Sequence, residues 1–238
     1  MNSIPQAPTR NASCNSVAFA SSAVLLAAVL ASSCANAPKI PDWQIEAKGA
    51  MDRAVAAYLE GNTRVELAEI SRARRQLAST GRADLVASAE LTRCATRVAS
   101  LVFEPCSSFE ALRPDATEAQ RAYADYLRGQ LVPAQIPLLP ATQRAGVARV
   151  AGDDLPLQGI GDPLSLLVAA GVLLESGKAS PAIIAQAIDT ASRQGWRRPL
   201  LAWLEVQAQR ATHAGQSAEA TRLLRRIELI QNEAAPAP

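Results

Sequence analysis

The chain has 238 residues, of which 49% are hydrophobic, 19% charged and only 4% aromatic, and its formal net charge is +2. A chain of this length can bury a substantial core in one or two domains. The near-neutral charge argues against a dedicated nucleic-acid binder, because such a protein needs an excess of basic residues to neutralise phosphates. Residues that favour strands never gather into alternating runs, so the sequence predicts an all-α protein.

The N-terminus has the pattern of a secretory signal. Arg10 is the only charged side chain before Cys34, and a largely apolar stretch from Val17 to Leu30 follows it. A weakly basic start, a short apolar stretch and small residues before a cleavage site are typical of a signal peptide. The stretch is shorter than the roughly 20 apolar residues that a membrane-spanning helix needs. We therefore predict that residues 1–33 are a signal peptide and that the rest of the chain lies outside the cytoplasm.

The residues Leu30-Ala31-Ser32-Ser33-Cys34 resemble the lipobox of bacterial lipoproteins, although Ala31 stands where leucine is most usual. The segment AYLEGNTRV (Ala57–Val65) is also similar to proteobacterial lipoproteins. The lipobox resemblance implies that Cys34 is acylated and anchors the protein in a membrane. Ala35 is not the aspartate that favours inner-membrane retention, which suggests the outer membrane, with the protein facing the periplasm. The alternative is an ordinary signal cleavage in which Cys34 is incidental.

A short tether over residues 34–41 leads into a predicted N-terminal helical subdomain, residues 42–129. Its first helix begins with Asp42 as N-cap and ends at Gly61. Thr63 and Glu66 have the spacing of a capping box, which predicts the start of the second helix. The apolar stripe of that helix consists of Leu67, Ile70, Ala73 and Leu77, and Gly81 ends the helix. A third helix runs from about Ala83 to Val102. A fourth is capped by Asp115 and Glu118 and ends at Gly129.

Residues 130–161 are rich in proline and glycine and predict a connection with short helices, one of them from Ala141 to Val150, at a subdomain boundary. Residues 162–232 predict a C-terminal subdomain of antiparallel helical hairpins, because helices joined by very short turns must run antiparallel. Residues 233–238 predict a disordered tail. The helices of the C-terminal subdomain have proline starts and glycine stops: Asp162-Pro163, Ser180-Pro181 and Pro199, with Gly177, Gly195 and Gly215.

The last hairpin resembles a tetratricopeptide repeat (TPR). Ala208, Gly215, Ala220 and Leu224 fall where that repeat has small, glycine, small and large residues, whereas Asn232 replaces its customary proline. The resemblance implies stacked helical hairpins with a concave binding surface. The alternative is an irregular helical bundle, which the same residues could build. In either case we expect one buried seam formed by Leu204, Ala208, Ala220, Leu224 and Ile227.

Cys94 and Cys106 are the only cysteines that follow Cys34. In an oxidising compartment an even pair predicts a disulfide. The chain must return about 12 Å along the helix that carries Cys94, and four extended residues can reach roughly 13 Å. A redox or metal-binding role is the weaker hypothesis, because no second cysteine lies at Cys-x-x-Cys spacing and no histidine is near.

No catalytic, metal or cofactor site is predicted. His213 is the only histidine, and its place near a helix C-terminus suits a favourable interaction with the helix dipole. Asp153, Asp154 and Asp162 match no calcium loop, and Asp162 has the position of a helix cap. Gly159-Ile160-Gly161 lacks the preceding strand and the third glycine of a dinucleotide loop.

Two groups of arginines interrupt the otherwise mixed helix surfaces. One group lies on the last helix and consists of Arg222, Arg225 and Arg226. The other group consists of Arg72, Arg74, Arg75 and Arg82. The first group is our candidate partner-binding surface, although such groups are usually solvated helix faces. The leading hypothesis is a membrane-anchored helical binding or assembly module for an envelope protein, without enzymatic activity. The alternatives are a cell-wall enzyme with a pair of carboxylates and a purely structural envelope lipoprotein.

Overall fold

All regular structure in the described residues is helical, which confirms the predicted all-α fold. The computed structural model describes residues 39–147 and 156–232, and those from Pro41 onwards belong to one compact unit. The predicted signal peptide (1–33), Cys34 and the predicted tail (233–238) lie outside the described residues. Within the described ranges, no helix combines the length and the hydropathy needed to cross a membrane.

The helices of this part of the chain differ widely in length, from four residues to nineteen. Two stretches of 3-10 helix, Arg113–Asp115 and Pro133–Leu138, separate some of them. In chain order the α-helices are α1 (Asp42–Glu60), α2 (Thr63–Ala78), α3 (Ala83–Ala99), α4 (Ser107–Glu110), α5 (Glu118–Leu127), α6 (Ala141–Val147), α7 (Pro163–Glu175), α8 (Pro181–Gln194), α9 (Arg197–His213) and α10 (Ser217–Asn232).

The predicted glycine stops are confirmed. Gly61, which follows α1, has a φ of 92°, a left-handed conformation that a residue with a Cβ adopts only at a cost. The other predicted stops share a positive φ: Gly81, Gly129, Gly177, Gly195 and Gly215. The Asp162 and Ser180 side chains accept hydrogen bonds from the third-residue N–H groups of α7 and α8, as predicted for helix caps.

The N-terminal caps of α2 and α5 were assigned wrongly from the sequence. Asn62, not Thr63, caps α2, and its side chain accepts a hydrogen bond from the Val65 N–H at 3.2 Å. For α5 the capping box is formed by Thr117 and Gln120 rather than by Asp115 and Glu118. A neighbouring polar residue therefore satisfies the free N–H groups in each case, which leaves Glu66 available for a different contact.

The cap of α1, the end of α3 and the start of α9 also differ from the prediction. Asp42, predicted as N-cap, is the first residue of α1, and Pro41 takes the cap position. Helix α3 ends at Ala99, and Leu101 takes the left-handed conformation, with a φ of 60°. Helix α9 begins at Arg197, two residues before the predicted start at Pro199. Proline can occupy this third position because the first N–H groups of a helix have no partner within the helix.

The helices pack as hairpins whose ends come together, not as an open array. Helices α1 and α2 form one hairpin, α8, α9 and α10 form two more, and α7 packs on α3. Helix α9 also contacts α1, and the Trp203 indole N–H donates to the Ala99 carbonyl oxygen at 3.1 Å. Of the two architectures that fit the sequence, this closed arrangement corresponds to the bundle, since units of a solenoid contact only their neighbours.

The crossing of α3 and α7 depends on a glycine. A Cβ atom placed on Gly171 would lie 2.4 Å from the carbonyl oxygen of Val98, which is far inside van der Waals contact. The backbones of the two helices therefore approach as closely as they do only because residue 171 has no side chain. One buried core runs from Ala87 in α3 to Ile227 in α10, so residues from both predicted helical subdomains share it.

The predicted seam of the last hairpin is correct except at one position. Leu204, Ala208, Ala220 and Ile227 are buried, but Leu224 is 57% exposed and Leu223 is fully buried in its place. The α2 stripe contains a similar error, because Leu67 is 52% exposed and Glu66 is buried instead. Both errors are one-residue shifts, about 100° around a helix, and they follow from which side of the helix the neighbouring helices cover.

Candidate functional site

The C-terminal helices enclose a concave surface that we call the C-terminal groove. It has a volume of about 320 Å³ and combines small apolar side chains with amides and charged groups. Helices α8, α9 and α10 contribute its lining residues: Pro181, Ile184, Gln207, Arg210, Ala211, Ala214, Gln216 and Glu219.

The local sequence explains why this surface is concave. Helix α9 packs between α8 and α10, and the tight turn at Gly215 brings α10 back along α9. Ala211 in α9 and Ala214 just after its end contribute only methyl groups to the groove lining, between residues of α8 and α10. The methyl-lined floor and the two bordering helices give a shallow channel, a shape that accepts a segment of another chain.

The three predicted arginines lie on α10, the helix that contributes Glu219 to the groove lining. Arg222 donates two hydrogen bonds to Glu219, from Nε to Oε2 at 2.8 Å and from Nη2 to Oε1 at 2.6 Å. These bonds lower the pKa of the Glu219 carboxyl and raise the pKa of Arg222. Arg225 is exposed and Arg226 half-buried.

Two of these arginine side chains are unpaired within the described residues. The side chains of Arg225 and Arg226 form no ion pair or hydrogen bond with any residue of the described ranges, and neither does the Arg210 side chain. Glu219, the one acidic residue that lines the groove, is already bound by Arg222. Together with Arg210, which lines the groove, the three arginines of α10 outnumber the two glutamates of that helix, Glu219 and Glu228.

His213 lies on the opposite side of the same hairpin. It is exposed at the end of α9 and lines a second depression of about 230 Å³ together with Glu205, Thr212 and Leu224. The neighbouring Thr212 hydroxyl donates to the Ala208 carbonyl oxygen at 2.9 Å. The histidine thus sits where the sequence placed it, at a helix C-terminus.

A buried ion network joins α2 and α3, and sequence reasoning did not find it. Glu66 and Glu90 are each only 2% exposed. The Arg97 Nη2 donates to Glu66 Oε1 at 3.0 Å. Arg93 bridges both acids, with Nε 3.6 Å from Glu66 Oε1 and Nη1 3.8 Å from Glu90 Oε2, and Arg74 donates to Glu90. The spacing contained a signal, because Glu66 lies four residues before the buried Ile70 and so shares its helix face.

Tyr58 connects this network to the C-terminal helices. The guanidinium groups of Arg97 and Arg198 lie 4.8 Å and 4.3 Å from its ring centre, within the range of cation–π contacts. Arg198 Nη2 also donates to the Thr63 hydroxyl at 2.9 Å. Residues from the first helices and from α9 are thus held together by charge as well as by apolar packing.

The predicted cysteine pair is brought to disulfide distance. Cys94 in α3 and Cys106 just before α4 have their Cα atoms 6.0 Å apart, and the two sulfur atoms are bonded. The bond borders a small polar cavity of about 140 Å³ that Arg93, Arg97 and Glu104 also line. It fixes the segment after α3 back onto that helix.

The remaining predicted positions are not brought into a common site. Asp162 caps α7, and Asp153 and Asp154 lie outside the described residues. Among the residues that the structure describes, no group of three or more His, Cys, Asp or Glu side chains could hold a metal ion. Comparison with protein-family models, with curated proteins and with solved structures finds no match for this chain.

Proposed function

We propose that this protein is a lipid-anchored binding module of the bacterial cell envelope. Cys34 would hold it at a membrane, and the C-terminal groove would dock an acidic segment of another envelope protein. The anchor is supported by the lipobox-like residues before Cys34. Each buried methylene of an acyl chain contributes about 0.8 kcal/mol, so a cysteine with several chains gives durable attachment.

The observation that carries the binding proposal is the set of unpaired arginines on α9 and α10, two of the helices that line the groove. The side chains of Arg210, Arg225 and Arg226 make no hydrogen bond or ion pair with the described residues, and Arg210 itself lines the groove together with Ala211 and Ala214. Complementary charge steers a partner and fixes its orientation, while the apolar floor supplies contact area. A partner segment with acidic residues beside small apolar ones fits both features.

The competing hypothesis of a cell-wall enzyme requires two carboxylates that are free to exchange protons with a substrate. Glu66 and Glu90 are the two buried acids that approach each other in the described residues, and each is bound by two guanidinium groups. This arrangement is typical of a structural network, so we favour the binding module over the enzyme. A purely structural lipoprotein would need no groove with unpaired charge.

Charge reversal tests the docking surface. The triple variant Arg222→Glu, Arg225→Glu and Arg226→Glu should lose most of the partner that the wild type captures after crosslinking in intact cells. Its thermal unfolding should change little, because Arg222 and Arg225 are exposed, and Arg226 is only half-buried and makes no ion pair with the described residues. The matched control reverses three exposed arginines of α2, Arg64, Arg72 and Arg75, with the same change in net charge. Equal capture by both triple variants would contradict the assignment of the groove.

The anchor is tested separately. Cys34→Ala should leave the protein unprocessed or, if the signal is still cleaved, soluble after cell fractionation, because the residue that would carry the acyl chains is gone. Mass spectrometry of the wild-type N-terminal peptide should show acylated Cys34. A cleaved Cys34→Ala protein that still fractionates with membranes would contradict lipid anchoring without affecting the docking proposal.

A further inference from the structure

A further cavity lies between the end of α5, the 3-10 helix at Pro133–Leu138, α6 and α7. We call it the Tyr126 cavity. It has a volume of about 170 Å³, and most of its lining residues are apolar, among them Leu131, Ile136, Val172 and Leu173. It is separate from the C-terminal groove and shares no lining residue with it.

The two hydroxyl groups on the cavity wall, of Tyr126 and Ser176, are already hydrogen-bonded. The Tyr126 hydroxyl donates to Gln143 Oε1 at 2.8 Å, and the Gln143 amide donates in turn to the Ser165 carbonyl oxygen at 3.3 Å. The Ser176 hydroxyl donates to the Val172 carbonyl oxygen at 2.8 Å. Water in this cavity would find few partners, and such cavities favour apolar ligands.

Lys178 is the exception. It lines the same cavity, is exposed to solvent, and its ammonium group makes no ion pair or hydrogen bond with the described residues. A cavity lined mainly by apolar residues, with one unpaired cationic side chain among them, matches one kind of ligand, a short apolar tail that ends in a carboxylate. A cavity of about 150 Å³ is known to admit benzene, so the fitting tail has about six carbon atoms.

We propose that the Tyr126 cavity binds small monocarboxylic acids with an aliphatic or aromatic tail of this size, with Lys178 pairing with the carboxylate. Hexanoate and benzoate are the probes that fit. Hexanol has the same chain without the charge, so it separates burial of the tail from recognition of the carboxylate.

Calorimetry and saturation-transfer NMR on the purified full chain test the site. Hexanoate should bind saturably, with a Kd in about the millimolar range for so few atoms. Hexanol should bind about threefold more weakly, the size of effect expected from one exposed ion pair. Lys178→Gln should weaken hexanoate by a similar factor and leave hexanol unchanged. Lys48→Gln is the matched control, because Lys48 is an exposed lysine on α1 that pairs with Asp52.

A filling variant tests the position of the tail. Leu173→Trp enlarges a half-buried wall residue, and it should abolish binding of both hexanoate and hexanol while the protein still unfolds cooperatively. Failure of hexanoate to bind up to about 10 mM would overturn the proposal. Hexanoate affinity that is unchanged by Lys178→Gln would overturn the assignment of the carboxylate, and affinity unchanged in folded Leu173→Trp would overturn the cavity as the site.

Discussion

The α2–α3 interface and the α9–α10 hairpin contain the same kinds of residue but use them in opposite ways. In the α2–α3 interface, Glu66 and Glu90 are buried with arginines around them, and Leu67 faces solvent. In the α9–α10 hairpin, leucine, isoleucine and alanine fill the seam, and the arginines lie outside. Glu219 and Arg222 form an ion pair there as well, but on the surface.

The comparison teaches that residue type on a helix does not decide burial by itself. Burial depends on whether a neighbouring helix covers the face on which the residue lies. The α2 face that carries Glu66 is covered by α3, and the cost of burying its charge is offset only because Arg97 and Arg93 approach from α3. No helix of the described ranges covers the α10 face that carries Leu224, so that leucine stays exposed.

The largest expected effect separates the two neighbouring leucines of α10. Leu223→Ala should lower the free energy of unfolding by about 2–5 kcal/mol, because it leaves a cavity in the seam. Leu224→Ala removes the same atoms from an exposed position and should change stability by less than about 0.5 kcal/mol. Urea unfolding monitored by circular dichroism measures both. Equal losses in the two variants would mean that the register of α10 is wrong.

The next effect contrasts the buried and the exposed ion pairs. Glu66→Gln keeps the shape of the side chain but leaves Arg97 without its buried counter-charge and Arg93 with Glu90 alone, and we expect a loss of about 3 kcal/mol in the free energy of unfolding. Glu219→Gln breaks the surface pair with Arg222 and should leave that free energy almost unchanged, because exposed pairs contribute little. If Glu66→Gln is as stable as the wild type, the network between α2 and α3 does not stabilise the fold.

The smallest effect concerns pH and a pair of intermediate exposure. Arg113 Nε donates to Glu110 Oε2 at 2.6 Å, and this hydrogen bond lowers the pKa of the Glu110 carboxyl, with Arg128 adding to the effect. A lowered pKa in the folded state means that the pair stabilises the protein above the unfolded pKa of about 4.3 and that this contribution is lost as the pH falls through the folded value.

The difference in unfolding free energy between wild type and Glu110→Gln should therefore be at most about 1 kcal/mol at pH 7 and should shrink below about pH 4. Urea unfolding at a series of pH values measures this difference. A difference that grows as the pH falls would show that the sign of the pKa shift is wrong.

Local features of the sequence determined the fold class, the glycine stops and the proline-started helices of the last quarter. These depend on contacts within a few residues: a cap needs only a side chain near the free N–H groups, and a left-handed stop needs only a glycine. The pairing of Cys94 and Cys106 is also nearly local, since the two cysteines are only twelve positions apart in the sequence. The caps of α2 and α5 were missed because another polar residue within two positions could do the same task.

Only the tertiary structure decided which helix faces are covered and therefore what is buried. Gly171 looks like any glycine in an apolar helix until α3 crosses it at Val98, and Trp203 finds its acceptor, Ala99, 104 residues away. Glu66 reads as a capping residue until Arg97 approaches it from α3. The C-terminal groove likewise exists because α8 and α10 both pack on α9. Each of these contacts joins residues far apart in the chain, and periodicity within one helix carries no information about its distant neighbours.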